Sequence, residues 1–295
     1  MGTRISIVTP CFNQAETLER TIRSVVNQQC PDLEYIVVDG GSSDGTSEIL
    51  SRYALDISTI ISEPDNGQYD AIRKGFDNAH GDIFGWLNGD DIYCSWTLSV
   101  VKDIFDNNPT VDWITGLPSL FNNAAQCVHI KKLCGYPQEW IASGCFDGVF
   151  YPYLQQECMF WRASLWHKCG GFDPGLTLAA DFELWTRFAR HTDLVSVTVP
   201  LGGFLRREAG QRSIVGAEAY RAEVTNVTAK LQRPFVVRCV EKHRILSELY
   251  RHIFPKKSRF VAFSSQNRSW RLFSGKLVTA RLSIRNLFKE WRCER

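Results

Sequence analysis

The chain has 295 residues, 44% of them hydrophobic, which suits one large α/β domain or two modest ones. It contains no run of about 18 apolar residues, so no transmembrane helix is expected, and its start, Met1-Gly2-Thr3-Arg4, enters a strand-like segment with no secretory h-region. Net charge is +2, but residues 230–295 hold 17 Lys/Arg against 4 Asp/Glu (+13), and residues 1–229 hold 17 basic against 28 acidic side chains (−11). That asymmetry predicts two functional parts, the basic one meeting anions.

The first half alternates strand and helix. Ile5 to Val8 reads as a strand, and Thr17 to Gln28 as a helix with Leu18, Ile22, Val25 and Val26 on one face. Tyr35 to Val38 is a second strand, Thr46 to Tyr53 a helix, Ile57 to Ile61 a strand and Asp70 to Ala79 a helix. Ile83 to Leu87 is a fourth strand and Trp96 to Phe105 the next helix. This alternation predicts an α/β fold with a mostly parallel mixed sheet and helices on both faces. Residues 110–160 are broken by glycines and prolines. Asp181 to His191 follows as an amphipathic helix and Leu194 to Val199 as a strand. The ten cysteines are scattered without a Cys-x-x-Cys pair, which argues against a zinc ribbon and for reduced thiols in a cytoplasmic protein.

Polar or glycine-rich turns follow strands one, two and four: Thr9 to Asn13, Asp39 to Gly45, and Asn88 to Asp91. They should share one sheet edge, where α/β sheets bind ligands. Asp90 and Asp91 are adjacent carboxylates past a buried strand. They repel each other, and a hard divalent cation would relieve that. The plain alternative is a helix cap. Asp39 ends the second strand, where a carboxylate can accept hydrogen bonds from a ribose or base edge. Alternatively, Asp39 and Asp44 only cap a turn. Neither Gly-x-Gly-x-x-Gly nor a P-loop occurs, which disfavours a Rossmann dehydrogenase and a P-loop nucleotidase.

Together Thr9-Pro10-Cys11-Phe12-Asn13, Val37 to Thr46, Ser62 to Gly75 and Leu87-Asn88-Gly89-Asp90-Asp91 resemble family 2 glycosyltransferases, over about residues 4–215. The resemblance implies the GT-A fold, with a nucleotide-sugar half (1–110) and an acceptor half (111–229). It also implies inverting transfer from a nucleoside-diphosphate sugar to a hydroxyl, with Mg²⁺ or Mn²⁺. Asn88-Gly89-Asp90-Asp91 matches the family's Asp-x-Asp motif with Asn in first position, leaving Asp90 and Asp91 as metal ligands. Pro10, Asn13, Glu16, Asp39 and Asp70 match nucleotide-binding positions, and Asn88, Gly89 and Asp90 line the same site. Asp70 also begins a helix, where an acid is favourable regardless of ligand.

Ala180-Asp181-Phe182-Glu183 is similar to the family's catalytic-base segment and assigns the base to Asp181. An inverting displacement needs a carboxylate to take the acceptor's proton. The alternative for Asp181 is a helix N-cap. Gln156 and Glu157 are expected on the acceptor side or in an edge strand, and Arg206 to Ser213 in a loop over the diphosphate. The acceptor is expected to be a carbohydrate or lipid-linked hydroxyl in surface polysaccharide or glycolipid assembly.

Residues 230–295 interleave cations with aromatics. Leu277, Ala280, Leu282, Ile284, Leu287, Phe288 and Trp291 give a rough helical apolar side. A basic amphipathic extension of this kind predicts peripheral docking on an anionic cytoplasmic membrane face. The alternative is packing on the domain. Nucleic-acid binding is disfavoured by the acidic front half. A non-catalytic relative that binds a nucleotide sugar or scaffolds an assembly should have lost Asp39, Asp90/Asp91 or Asp181, and all are present.

Overall fold

The computed structural model describes residues 2–205, 216–233 and 257–276. Its first strands are β1 (Ile5–Cys11), β2 (Leu33–Asp39), β3 (Thr59–Ser62) and β4 (Ile83–Trp86), joined by helices α1 (Leu18–Val26), α2 (Thr46–Arg52) and α3 (Gln68–Asp77). Next come β5 (Ile92–Tyr93), α4 (Thr97–Asn107), β6 (Trp113–Thr115), β7 (Ser119–Phe121), β8 (Cys127–Ile130) and α5 (Gln138–Ala142). A 3-10 turn, Gln156–Cys158, leads into β9 (Met159–Arg162), α6 (Ala163–Cys169), α7 (Ala180–Phe188), β10 (Val195–Val197) and β11 (Gly202–Leu205). Helix α8 (Ala217–Ala229) and the strands β12 (Lys257–Ser264) and β13 (Ser269–Lys276) complete the described chain.

Among the described residues nine strands form one sheet in the order β13-β12-β10-β6-β9-β4-β1-β2-β3. Strands β4, β1, β2 and β3 are mutually parallel, and their register sets Cys11 beside Asp39 and Asp39 beside Ser62. The three polar turns therefore open along one edge, as the alternation predicts. Strand β9 runs antiparallel to both β4 and β6. The edge-strand alternative for that segment fails because β9 is hydrogen-bonded on both sides, and its two faces are buried as well: Phe160 packs on one side of the sheet, Met159 and Trp161 on the other.

The same alternation builds the core. Tyr35 and Val37 face α1 and α4, while Ile36 and Val38 face α3 and a large aromatic cluster. There Trp185 of α7 stacks on Trp86 (5.5 Å, 6°) and on Trp113 (5.3 Å, 25°), with Trp161 edge-on at 5.6 Å. Helix α3 lies close on the sheet through Gly75, where a Cβ would collide with both methyls of Val8 and come within 3.3 Å of Val38.

Part of the basic extension is not helical. Residues 257–276 form a β-hairpin, and its strand β12 pairs parallel with β10, which widens the central sheet. Cross-strand aromatic pairs, Phe260 with Phe273 and Phe263 with Trp270, favour that pairing. The expected apolar helical side from Leu277 to Trp291 lies outside the described residues. No helix among the described residues is long and apolar enough to cross a membrane.

Candidate active site

The turn after β4 is held from α1. Thr17 Oγ1 donates to the Gly89 carbonyl (2.9 Å) and Thr21 Oγ1 to the Asp91 carbonyl (2.8 Å). Those threonines stand one helical turn apart, so one face of α1 grips both ends of the turn. Gly89 is buried against Gln14, which occupies the space a Cβ would need. The helix-cap alternative for Asp90 and Asp91 does not hold: β5 follows them directly, and α4 starts only at Thr97.

The two aspartates differ. Asp91 is 1% exposed, and its oxygens accept from the Leu205 N–H (3.1 Å) and the Asn88 amide (3.1 Å). Burial, then the charges of Asp90 and Glu157, push its carboxyl well above the usual range. Asp90 is only partly buried. Glu157 sits against this pair, 3% exposed, and burial raises its carboxyl to about 6, with Asp90's charge adding to the rise. The sequence leaves Glu157 open between the acceptor side and an edge strand. The 3-10 turn entering β9 instead brings it to the metal-motif turn, because that turn packs on β5 and β11.

A hard cation fits this oxygen-rich, mutually repelling set. No three His, Cys, Asp or Glu among the described residues converge into a complete metal shell.

The residues expected on the nucleotide side form a tied pair of loops. Asn13 adopts φ 50°, which Asn tolerates, and its N–H donates to Ser42 Oγ (2.8 Å) while Ser43 N–H donates to its Oδ1 (2.9 Å). Asp39, 1% exposed, accepts from Ser42 Oγ (2.5 Å) and Ser62 Oγ (2.7 Å). Both acids also cap backbone, as the turn alternative expects: Asp39 accepts from Ser42 N–H (3.2 Å), and Asp44 from Thr46 N–H (3.1 Å) and Ala15 N–H (2.9 Å). Pro10 is buried in β1, and Glu16 is exposed at the entrance to α1. Asp70 accepts from the Asn66 N–H (3.1 Å) and pairs with Arg73 (2.5 Å). The Asn66 bond and the neighbouring cations hold its carboxyl below the usual range. Asp70 thus closes its own loop at the start of α3.

Asp181 is the second residue of α7, not its cap, which is Ala179. Its Oδ1 accepts from Phe182 N–H (2.7 Å), Tyr69 Oη (2.9 Å) and, more weakly, Tyr220 Oη (3.4 Å). Among the described residues Oδ2 accepts no hydrogen bond, and the carboxylate borders a shallow recess lined by Ile141, Phe146, Tyr153 and Trp185. Burial raises its carboxyl above the ordinary aspartate value. Glu183 is turned away and grips Arg187 (Oε1 to Nε 2.7 Å), whose guanidinium also reaches the Cys169 carbonyl.

Three residues at this site escaped the sequence reading. Gln68 Nε2 donates to Asn88 Oδ1 (2.7 Å), and its neighbour Tyr69 reaches Asp181. Both lie in the quoted Ser62–Gly75 stretch, so the motif could have flagged them. Tyr220 lies on a helix without any motif. The Arg206–Ser213 loop lies outside the described residues.

Residues 6–149 match the sequence model of Glycosyl transferase family 2. An uncharacterized glycosyltransferase of Mycobacterium tuberculosis is 29% identical over 204 residues, 68% of this chain and 74% of its own length. Poly-beta-1,6-N-acetyl-D-glucosamine synthase of Staphylococcus epidermidis is 28% identical over 123 residues, 41% of this chain and 30% of its own. Among solved structures, S. aureus TarS 1–349 in complex with UDP-GlcNAc superposes with TM-score 0.62 at 17% identity, covering 84% of this chain and 72% of that one. The mannosyltransferase PcManGT from Pyrobaculum calidifontis, in complex with GDP-Man and Mn²⁺, gives 0.58 at 19% identity, covering 84% and 71%. At such identities the structural likeness establishes the fold, which is GT-A. With the motif-bearing loops assembled along one sheet edge, residues 6–149 form a glycosyl transferase family 2 domain, and the chain is a glycosyltransferase.

Proposed function

We propose that this glycosyltransferase moves a sugar from a nucleoside-diphosphate donor to a hydroxyl acceptor by a single displacement that inverts the anomeric carbon. One observation carries the reading: adjacent residues of α3 touch both halves of the site. Gln68 binds the Asn88 amide of the metal-motif turn, and Tyr69 binds the Asp181 carboxylate. The first turn of α3 therefore ties a leaving-group side to a base side, the arrangement an in-line displacement needs.

In this reading the acceptor hydroxyl attacks the anomeric carbon from the recess while Asp181 Oδ2 takes its proton. The new C–O bond forms as the bond to the diphosphate breaks, and the diphosphate leaves with that electron pair. Asp39, Asn13, Pro10 and Glu16 belong to the nucleotide-side loops, and Asp70 shapes the loop before α3. Asp90, the more accessible of the pair, is the principal metal ligand, and buried Asp91 holds the turn through Asn88 and Leu205. Mg²⁺ or Mn²⁺ held there would neutralise charge developing on the diphosphate. The Mn²⁺ and nucleotide sugars named for the structural neighbours support this donor chemistry.

Assembly of a polysaccharide is the process that the Staphylococcus epidermidis relative's name supports. The test is a nucleotide-sugar panel including UDP-GlcNAc and GDP-Man, read as diphosphate release, with the product anomer determined by NMR. A retained anomeric configuration would overturn the single displacement. In thermal melts, UDP or GDP at about 100 Kd with Mn²⁺ should stabilise the protein by ~2.7 kcal/mol. Asp90→Asn should abolish the Mn²⁺-dependent part, and an undiminished shift in that variant would remove Asp90 from the metal site.

The excess of +13 in residues 230–295 supports docking on an anionic leaflet, where lipid-linked acceptors reside. The full chain should float with anionic vesicles and remain below neutral ones. Failure to float with either would end the docking proposal.

A further inference from the structure

Helix α8 lies beyond the family-matched residues 6–149 and carries no sequence motif, yet it meets the start of α7 at two points. The Glu223 carboxylate accepts from Thr177 N–H (3.2 Å), Thr177 Oγ1 (2.8 Å), Leu178 N–H (2.9 Å) and Ala179 N–H (2.9 Å). Ala179, the N-cap of α7, has no side-chain oxygen to offer, so the backbone donors leading into this helix are satisfied from another helix. Tyr220, three residues before Glu223 and so on the same face of α8, donates to Asp181 Oδ1.

The helix is fixed elsewhere too. Val224 and Val227 pack with Phe182 and Ala179, and just past its end Arg233 donates to the Gly144 carbonyl (2.8 Å) and pairs with Asp147 (2.6 Å). Both partners of that ion pair are largely buried, so the link is not a loose surface contact. Helix α8 thus spans the segment behind the recess and the loop before the base.

We propose that α8 is the positioning element for the catalytic carboxylate: Glu223 sets the start of α7, and Tyr220 with Tyr69 holds Asp181 Oδ1 so that Oδ2 is left for the acceptor. The proposal rests on reading Asp181 as the base. Tyr220 and Glu223 act through Asp181 and are positioning residues. Burial and Asp181's charge raise both phenols, Tyr69 and Tyr220, so they remain protonated donors across the working pH range. The titratable groups gathered around Asp181 are Tyr69 of α3, Tyr153 of the loop before β9, and Tyr220 and Glu223 of α8.

A substrate-free experiment reads the effect on Asp181. Thermal melts from pH 4 to 8 are compared for the unaltered chain, Asp181→Asn, Tyr220→Phe and the double variant. Asp181's folded pKa lies above its unfolded one. Stability of the unaltered chain relative to Asp181→Asn therefore falls as pH rises from the ordinary aspartate range, and levels off above the folded value. Removing a donor to the carboxylate raises that value further. In the Tyr220→Phe background the levelling point should thus move to higher pH. A merely structural tyrosine would lower all melts alike, and an unmoved levelling point would overturn its role.

For Glu223→Gln, one amide oxygen cannot replace two carboxylate oxygens facing several donors. Its kcat is expected to fall roughly 10-fold to 100-fold with the donor KM unchanged. Lower stability with an unchanged kcat would overturn Glu223's part. Normal turnover in Asp181→Asn would instead defeat the base assignment, and the melt comparison would still report whether Tyr220 governs that carboxylate.

Discussion

Asp181→Asn should lower sugar transfer by ~10²–10⁴-fold while leaving nucleoside-diphosphate binding intact. The substitution is close to isosteric, and Oδ1 keeps its acceptor role toward Phe182, Tyr69 and Tyr220. The change falls on the other atom, where an amide nitrogen without a basic lone pair replaces the oxygen facing the recess. Initial rates measure the loss, and the Mn²⁺-dependent melt with UDP or GDP measures retained binding. Loss of both together would mean that Asp181 shapes the whole site rather than acting as its base. Since burial raises this carboxyl, the acid limb of kcat should lie above the ordinary aspartate range. Turnover falls as pH drops through that limb, because the protonated carboxyl cannot accept the acceptor's proton.

Trp185→Ala should be the most destabilising of the changes considered, at ~3–5 kcal/mol. Trp185 is 2% exposed and sandwiched between Trp86 and Trp113, with Trp161 and Phe188 at its edges. Truncation would leave a ring-sized void that rigid neighbouring rings cannot close. At ~2–4 °C per kcal/mol, the melting temperature should fall on the order of 10 °C. Trp185→Phe should lose much less. It keeps a ring in the stack and removes an indole N–H that has no hydrogen-bond partner among the described residues. Equal losses for the two variants would show that ring packing is not the source. Trp185 stands one turn after Asp181 on α7, so the alanine variant should also lose activity through a loosened base.

The contrast between Asp181 and Glu157 shows what kind of information the chain carries locally. Asp181 is a candidate from a short segment alone: an acid at the start of a helix with a matching neighbourhood. For Glu157 the sequence leaves the acceptor side and an edge strand open, and the fold sets it against the Asp90–Asp91 turn instead. Its position depends on β9 crossing the middle of the sheet antiparallel to both neighbours, a pairing between residues about 45 to 80 apart in sequence. Tyr220 and Glu223 were invisible for the same reason. A tyrosine and a glutamate three apart on a helix are ordinary until the fold lays that helix across the start of another. The hairpin at 257–276 was read mainly as cations among aromatics, whereas its cross-strand ring pairs and its pairing with β10 determined the outcome.

Hydrophobic alternation, strand-ending acids and the motif turns determined by themselves the α/β class, the family and the edge of the sheet where chemistry occurs. Those properties follow from backbone periodicity and from residues close together in the chain. Tertiary structure alone decided which carboxylates meet, which aspartate of the pair is accessible, and which oxygen of Asp181 accepts no hydrogen bond among the described residues. Burial and hydrogen-bond partners depend on what the rest of the chain packs against each group. No local spacing of residues encodes that.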